Sequence, residues 1–311
     1  MNLPRTYVGV DVAKAWLDVH TADGATRRID NTGPALARFV RHADPDACVV
    51  FEASGGYERA LMAALSGAGV AWHRVNPRHA RAFAQATGQL AKTDKVDARV
   101  LARMGTALEL TPEGARDPAR QRLADFIARL HDLKGQRQAE ANRLEHAADP
   151  IIATDIRDMI ATLDRRIERF ETLIANQIAS QAPLRALKAR LQTMPGIGPT
   201  LSAELIAWLP ELGQLSRREV ANLAGLAPQA CDSGTKRGKR HIWGGRSGLR
   251  RTLYLAAFNA SRYDQRFRTY RTKLQDAGKP TKVALVATAR KLLTILNQMI
   301  RTDTDYQKTT S

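Results

Sequence analysis

The stretch YVGVDVAK, residues 7–14, decides how the chain is read: an apolar run that ends on a carboxylate, Asp11. Short apolar runs of this kind read as buried strands. An acid at the end of one is unusual, because burying an ionised group without a partner is expensive. CVVFEASGGY, residues 48–57, repeats the pattern and ends its apolar run on Glu52. KTDKVDAR, residues 92–99, carries Asp94 and Asp97 three positions apart in a segment that reads as a helix, so both face one side. Each acid alone has a plain structural explanation: Asp11 capping the next turn, Glu52 pairing with a nearby base.

Working outward, residues 16–21 and 25–30 read as a second and third strand, with Asp23-Gly24 as the hairpin turn. A helix over 34–42 precedes the strand at 47–52, and Ser54-Gly55-Gly56 leads into a helix over 57–66. Residues 70–75 form another strand, stopped by Asn76-Pro77, and helices follow over 78–87 and 94–107. Three strands in hairpin order, then helix–strand–helix–strand–helix, is the order of a ribonuclease H-like sheet. Only in such a sheet do the four carboxylates become neighbours. Ions of the Mg²⁺ type need oxygen ligands, and two of them can clamp the attacking and leaving oxygens in phosphoryl transfer. Residues 1–110 are therefore expected to form an α/β domain of the RuvC or ribonuclease H type, with Asp11, Glu52, Asp94 and Asp97 as metal ligands. Lys92 and Lys95 beside the last pair either contact phosphate or are simply solvated.

The remainder is expected to be all-α. Residues 111–193 are expected to form a helical linker, and within it residues 119–192 lack a strand signal. Leu123, Phe126, Ile127, Leu130 and Leu133 recur at helical spacing, Pro150 breaks the pattern, and a second helix with Ile160, Leu163, Ile167, Phe170 and Leu173 continues to Leu191. This long antiparallel pair is either a spacer or a coiled-coil dimerisation arm. Residues 194–302 form a second globular, mostly helical unit. Its first segment, PGIGPTLSAELIA, resembles the turn of a helix-hairpin-helix, in which glycines such as Gly196 and Gly198 let the backbone approach a phosphate. The alternative is an ordinary turn, with Pro195 stopping the preceding helix. Helices are expected over 217–224, 249–261 and 281–299, and residues 303–311 as a polar, disordered tail.

Charge is segregated along the chain. The formal net charge is +17, with 48 basic and 31 acidic side chains. Residues 195–311 alone carry 20 basic and 8 acidic groups, net +12, against net +3 for residues 1–110. Such an excess favours a polyanionic partner. No apolar stretch approaches the roughly 20 residues that span a bilayer, and no signal-peptide pattern is present. Cys48 and Cys231 are far apart and fit reduced thiols in a cytoplasmic protein.

The basic charge is densest in CDSGTKRGKRHIWGGRSGLRR. From Lys236 to Arg251 there are seven Lys or Arg residues and no acid: Lys236, Arg237, Lys239, Arg240, Arg246, Arg250 and Arg251. These are candidate phosphate contacts. Ser233-Gly234 just before them is either a turn or a nucleophile whose alkoxide the cations would stabilise.

Taken together these strings resemble the serine/DEDD insertion-sequence transposases related to the Piv DNA invertase, the IS-one-ten family. The resemblance rests on YVGVDVAK, FEASGGY, VNPRHARAFAQATG and KTDKVDARVLA in front, and on MPGIGPTLSAELIA, LAGLAPQACDSGTKRGKR and LRRTLYLAAF behind. It covers about residues 6–300. It implies a RuvC-like domain whose Asp11, Glu52, Asp94 and Asp97 bind Mg²⁺ or Mn²⁺, and a C-terminal transposase domain whose Ser233 attacks DNA. It also implies a coiled coil joining protomers into dimers or tetramers, an active site shared between protomers, and a noncoding bridge RNA that pairs with donor and target DNA. Ser233 is followed by Gly-Thr where some relatives have Gly-Ser, so no adjacent serine stands in reserve.

The expectation is a cytoplasmic, nucleoid-associated DNA recombinase of a mobile element, with no membrane partner. Two other classes stay open: a metal-dependent endonuclease that uses water and makes no covalent link, and a non-enzymatic nucleic-acid binder whose acids are structural.

Overall fold

The computed structural model describes residues 4, 6–89, 94–113, 117–230, 238 and 240–307, with backbone only for 94–96. The chain divides into two compact units, residues 1–115 and 116–311.

The first unit is a five-stranded mixed sheet with helices on both faces. Its strands are β1 (Thr6–Val12), β2 (Trp16–His20), β3 (Thr26–Asp30), β4 (Ala47–Glu52) and β5 (Ala71–Val75); its helices are α1 (Gly33–Arg41), α2 (Arg59–Gly67), α3 (Pro77–Ala86) and α4 (Asp94–Leu108). The strand order is β3-β2-β1-β4-β5. β1, β2 and β3 are antiparallel neighbours, whereas β4 and β5 run parallel to β1.

Strand alternation sorts the side chains into two cores. Val10, Val12, Leu17, Val49 and Phe51 point to one face and pack with Leu36 and Leu61 of α1 and α2. Tyr7, Cys48 and Val50 point to the other and pack with Leu101 and Met104 of α4. Burial, and secondarily the Glu113 carboxylate, pushes the Cys48 thiol up to about 12, so it behaves as a small apolar core residue.

Among its described residues the second unit is helical apart from one short antiparallel strand pair. It comprises α5 (Pro118–Leu144), α6 (Pro150–Ala179), α7 (Ala182–Thr193), α8 (Pro199–Trp208), α9 (Arg217–Leu223), β6 (Pro228–Gln229), β7 (His241–Ile242), α10 (Ser247–Tyr263), α11 (Gln265–Asp276) and α12 (Thr281–Thr302). Asp117 and Asp149 cap α5 and α6, each followed by a proline that has no N–H to lose. The two helices pair antiparallel, tied by Lys134–Glu171 at 2.8 Å and Arg137–Asp164 at 2.5 Å. Leu133 and Leu163 are buried within this chain, while Ile151, Ile152 and Met159 stay exposed toward the far end. At the near end Leu123, Ile127, Ile174 and Ile178 share one core with the C-terminal helices.

Three expectations are corrected. The second long helix does not continue to Leu191: it stops at Ala179, and α7 starts afresh with Pro183 in its first turn, where a proline is tolerated and a helix interior is not. Residues 303–307 are not a loose tail. Tyr306 stacks on Phe267 at 6.2 Å, its hydroxyl donates to Asp264 Oδ2 at 3.1 Å, and its backbone N–H donates to Thr193 Oγ1 at 2.9 Å. Finally, α12 is long and apolar enough to span a bilayer on composition alone, yet Leu285, Leu292, Leu293 and Leu296 are buried, the last three in the shared core.

Candidate active site

The strand register brings the first two expected carboxylates together. In the parallel β1–β4 pair the last registered partners are Val10 and Phe51. Asp11 and Glu52 follow one step beyond, on adjacent strands. By alternation both face the side covered by α4.

Two glycines set where α4 lies. A Cβ at Gly9 would stand 1.9 Å from the Ala98 carbonyl oxygen and 2.6 Å from the Ala102 nitrogen. A Cβ at Gly105 would stand 2.5 Å from Tyr7 Cδ1. Position 9 thus meets residues 98 and 102, and position 7 meets residue 105, so α4 runs antiparallel to β1. Its N-terminus, with Asp94 and Asp97, therefore lies toward the Asp11 end of the strand. That end of a helix favours negative charge. Asp97 is half-buried next to the fully buried Ala98; the Asp94 side chain lies outside the described residues. Asp11, Glu52 and Asp97 each make further interactions within the fold.

A third carboxylate on this face is one the sequence did not single out. Asp18 on β2 is the register partner of Asp11 and is 1% exposed. Arg28, its own partner on β3, donates to it from Nε at 3.1 Å and from Nη2 at 2.6 Å, and lies 4.7 Å over the Trp16 ring. Arg28, Asp18, Asp11 and Glu52 therefore form one row across four strands. The alternation of WLDVH, with Leu17 and Val19 in the opposite core, was the available signal.

The rim around Asp11 and Glu52 is also built by residues the sequence did not advertise. Glu58, 4% exposed, accepts hydrogen bonds from Ser54 N at 3.2 Å, Ser54 Oγ at 3.0 Å and Gly56 N at 2.9 Å, and faces Arg74 at 3.5 Å. Burial alone would raise its pKa, but the hydrogen bond from its own backbone N–H and those from Gly56 and Ser54 together outweigh burial and leave it lowered. Gly55 and Gly56, with φ of +70° and +109°, allow the turn. Asn31 Nδ2 donates to Ala13 O at 3.0 Å and Tyr57 O at 3.2 Å, tying the loop after β1 to the loop after β4.

The donor set is oxygen only, which suits a hard divalent cation. Among the described residues no three His, Cys, Asp or Glu side chains converge closely enough to hold a metal ion. The side chain of Asp94, the expected fourth ligand, is not among them.

In the second unit the basic residues divide by role. Arg246 donates to both Glu211 oxygens at 2.8 and 2.6 Å and to Trp208 O at 2.7 Å. Arg250 donates to Gly225 O at 3.1 Å and Gly244 O at 3.2 Å. Both hold loops in place. Arg240 and Arg251 are exposed. Ser233, Lys236, Arg237, Lys239 and Lys92 lie outside the described residues, as does the Lys95 side chain. Gly196, at φ +85°, lets the turn before α8 press on α10, where a Cβ would stand 2.4 Å from Ala256 O. Gly198 caps α8 with open space beside it. A buried link went unread in the sequence: Glu204 of α8 meets His131 Nε2 of α5 at 2.6 Å and accepts from Thr252 Oγ1 of α10.

An α/β unit with carboxylates at two adjacent strand ends, joined to a basic helical unit, fits the class of enzymes that act on nucleic acid. Two family models match the chain: a DEDD transposase model of the IS110 type, described as Transposase, over residues 8–152, and the Transposase IS116/IS110/IS902 family over residues 188–272. The chain belongs to this IS110 family of transposases and is a DNA recombinase. It is 28% identical to the pilin gene-inverting proteins of Moraxella lacunata and Moraxella bovis, across 98% of this chain and 99% of theirs. It is 26% identical to an uncharacterized protein of insertion element IS110 from Streptomyces coelicolor, across 63% of this chain and 51% of that protein.

Proposed function

We propose that the chain cuts and rejoins DNA strands for a mobile element or an invertible segment, using a RuvC-like carboxylate site in its first unit and Ser233 in its second. The observation that carries the reading is the register of Asp11 beside Glu52 beneath the N-terminal end of α4. Asp11, Glu52, Asp94 and Asp97 would hold Mg²⁺ or Mn²⁺. Bound there, the metal supplies charge neutralisation for the oxygens of a phosphodiester under attack. Asp18, paired with Arg28, adds no uncompensated charge of its own beside Asp11.

Ser233 Oγ forms a bond to phosphorus, the bond to the departing strand oxygen breaks, and that oxygen takes up the serine proton. The phosphoserine link keeps the energy of the broken phosphodiester. Attack by a strand hydroxyl on the link then reseals DNA and restores the serine. Arg240 and Arg251 supply phosphate contacts, and a bridge RNA selects donor and target by base pairing. The active form is a dimer or tetramer, in which carboxylates of one protomer serve the serine of another. The exposed Ile151, Ile152 and Met159 offer the apolar contact for that assembly.

The test is a covalent protein–DNA adduct, trapped on a donor substrate. We expect Ser233→Ala to lose the adduct and Tyr254→Phe, which removes an alternative hydroxyl nucleophile on α10, to keep it. Cleaved DNA without an adduct in the wild type would favour hydrolysis by water and overturn the serine step.

A further inference from the structure

α10 carries a face that none of these roles uses in full. Arg251, Leu255, Phe258 and Arg262 are spaced four, three and four residues apart and share one stripe, with Tyr263 at its end. Leu255, Phe258 and Tyr263 are 49%, 39% and 71% exposed, although the opposite side of the helix is buried core. The Arg262 guanidinium lies 5.8 Å over the Phe258 ring and 6.0 Å over the Tyr263 ring. At the other end Arg251 Nη2 is held 3.3 Å from His131 Nδ1. Residues 247–263 contain no aspartate or glutamate.

An apolar stripe on an otherwise buried helix marks an interaction surface. The charge chooses the partner. A second copy docking the same stripe would set Arg251 and Arg262 against their own kind, with no acid to answer them. An unpaired nucleic-acid strand offers what the stripe lacks: flat base faces for Phe258 and Tyr263, and phosphates for the two arginines. In a duplex those base faces are already stacked. The stripe spans about 16 Å of helix, room for a short run of nucleotides.

We infer that the face of α10 from Arg251 to Tyr263 binds an unpaired DNA strand, with bases stacked on Phe258 and Tyr263 and phosphates paired with Arg251 and Arg262. The choice of DNA rests on the proposed strand cutting and exchange, which frees unpaired DNA nucleotides.

The test is fluorescence anisotropy of the full chain with labelled oligothymidylate, with a DNA duplex of equal length and with oligouridylate. The double variant Phe258→Ala/Tyr263→Ala should weaken oligothymidylate binding about 10-fold or more and leave the duplex unchanged. Phe258→Tyr should bind like the wild type. Ultraviolet crosslinking of oligothymidylate to the wild-type chain should label a peptide containing Phe258 or Tyr263. An undiminished single-strand affinity, an equal loss for the duplex, or crosslinks only elsewhere would overturn the inference. Tighter binding of oligouridylate with the same sensitivity would assign the face to RNA and overturn the choice of DNA. A lower mass in light scattering with unchanged DNA affinity would assign it to a second copy. Because binding is read without strand joining, a chain that binds as expected but forms no phosphoserine would sink the proposed mechanism and leave this inference standing.

Discussion

Gly9 on β1 and Ala98 on α4 meet backbone to backbone, with room for a hydrogen and none for a methyl: a Cβ at Gly9 would stand 1.9 Å from the Ala98 carbonyl oxygen. This contact lays α4 directly on the strand that carries Asp11. It brings two distant sequence motifs, YVGVDVAK and KTDKVDAR, to the same end of β1.

Gly9→Ala should therefore push α4 off β1. We expect a stability loss of about 1–3 kcal/mol and a loss of recombination larger than that destabilisation explains. Thermal melting and a recombination assay below the melting range check it. Full activity in a folded Gly9→Ala protein would mean that α4 need not touch β1.

Asp18 is the register partner of Asp11 and is turned to Arg28. Asp18→Asn keeps the shape and removes the charge, and should lower recombination about 10-fold while shifting the Mg²⁺ concentration needed for half activity. Arg28→Ala leaves the Asp18 carboxylate unanswered and should cost stability, about 1–3 kcal/mol. An unchanged Mg²⁺ dependence in Asp18→Asn would reduce the pair to a structural role.

Glu58 links the Ser54–Gly56 turn to pH. Its folded pKa lies below its unfolded value, so its contribution is present above the unfolded carboxylate range, about 4.3, and is lost as pH falls through the lower folded value. Urea unfolding across the acid range should show wild type losing more stability on acidification than Glu58→Gln. Parallel curves would show that Glu58 does not stabilise the turn through its charge.

The arginines should separate by assay. Arg240→Ala and Arg251→Ala should flatten the dependence of log DNA affinity on log salt, by roughly 0.9 for each phosphate left without its arginine, with little change in melting. Arg246→Ala and Arg250→Ala should instead lower the melting temperature, because they hold Glu211 and the Gly225 and Gly244 carbonyls. A salt slope unaffected by Arg240 and Arg251 would put the phosphate surface elsewhere.

The strands were legible because apolar runs with period two leave few alternatives, and an acid that ends such a run calls for a reason. Asp11 and Glu52 stood out on that ground. Asp18 did not, because one acid between Leu17 and Val19 in WLDVH looks like the wet face of an edge strand until α4 covers it. Gly9 showed nothing of its contact, since close approach is a property of the partner helix. α11 escaped notice because only Phe267 of its twelve residues is buried. Tyr306 looked like tail because its neighbours are polar, and its hold on Phe267 and Asp264 is tertiary. Charge density in residues 236–251 pointed to phosphate but carried no information on which arginines the fold itself engages.

The most direct measurement of the central claim is strand rejoining between donor and target DNA by wild type and Asp11→Asn, after chelation and re-addition of Mg²⁺. The account predicts that wild type recovers activity with the metal and that Asp11→Asn, folded and DNA-bound, stays at least ~10²-fold lower at every Mg²⁺ concentration. Rejoining at the wild-type level by Asp11→Asn, or activity in the wild type that chelation does not touch, would contradict it.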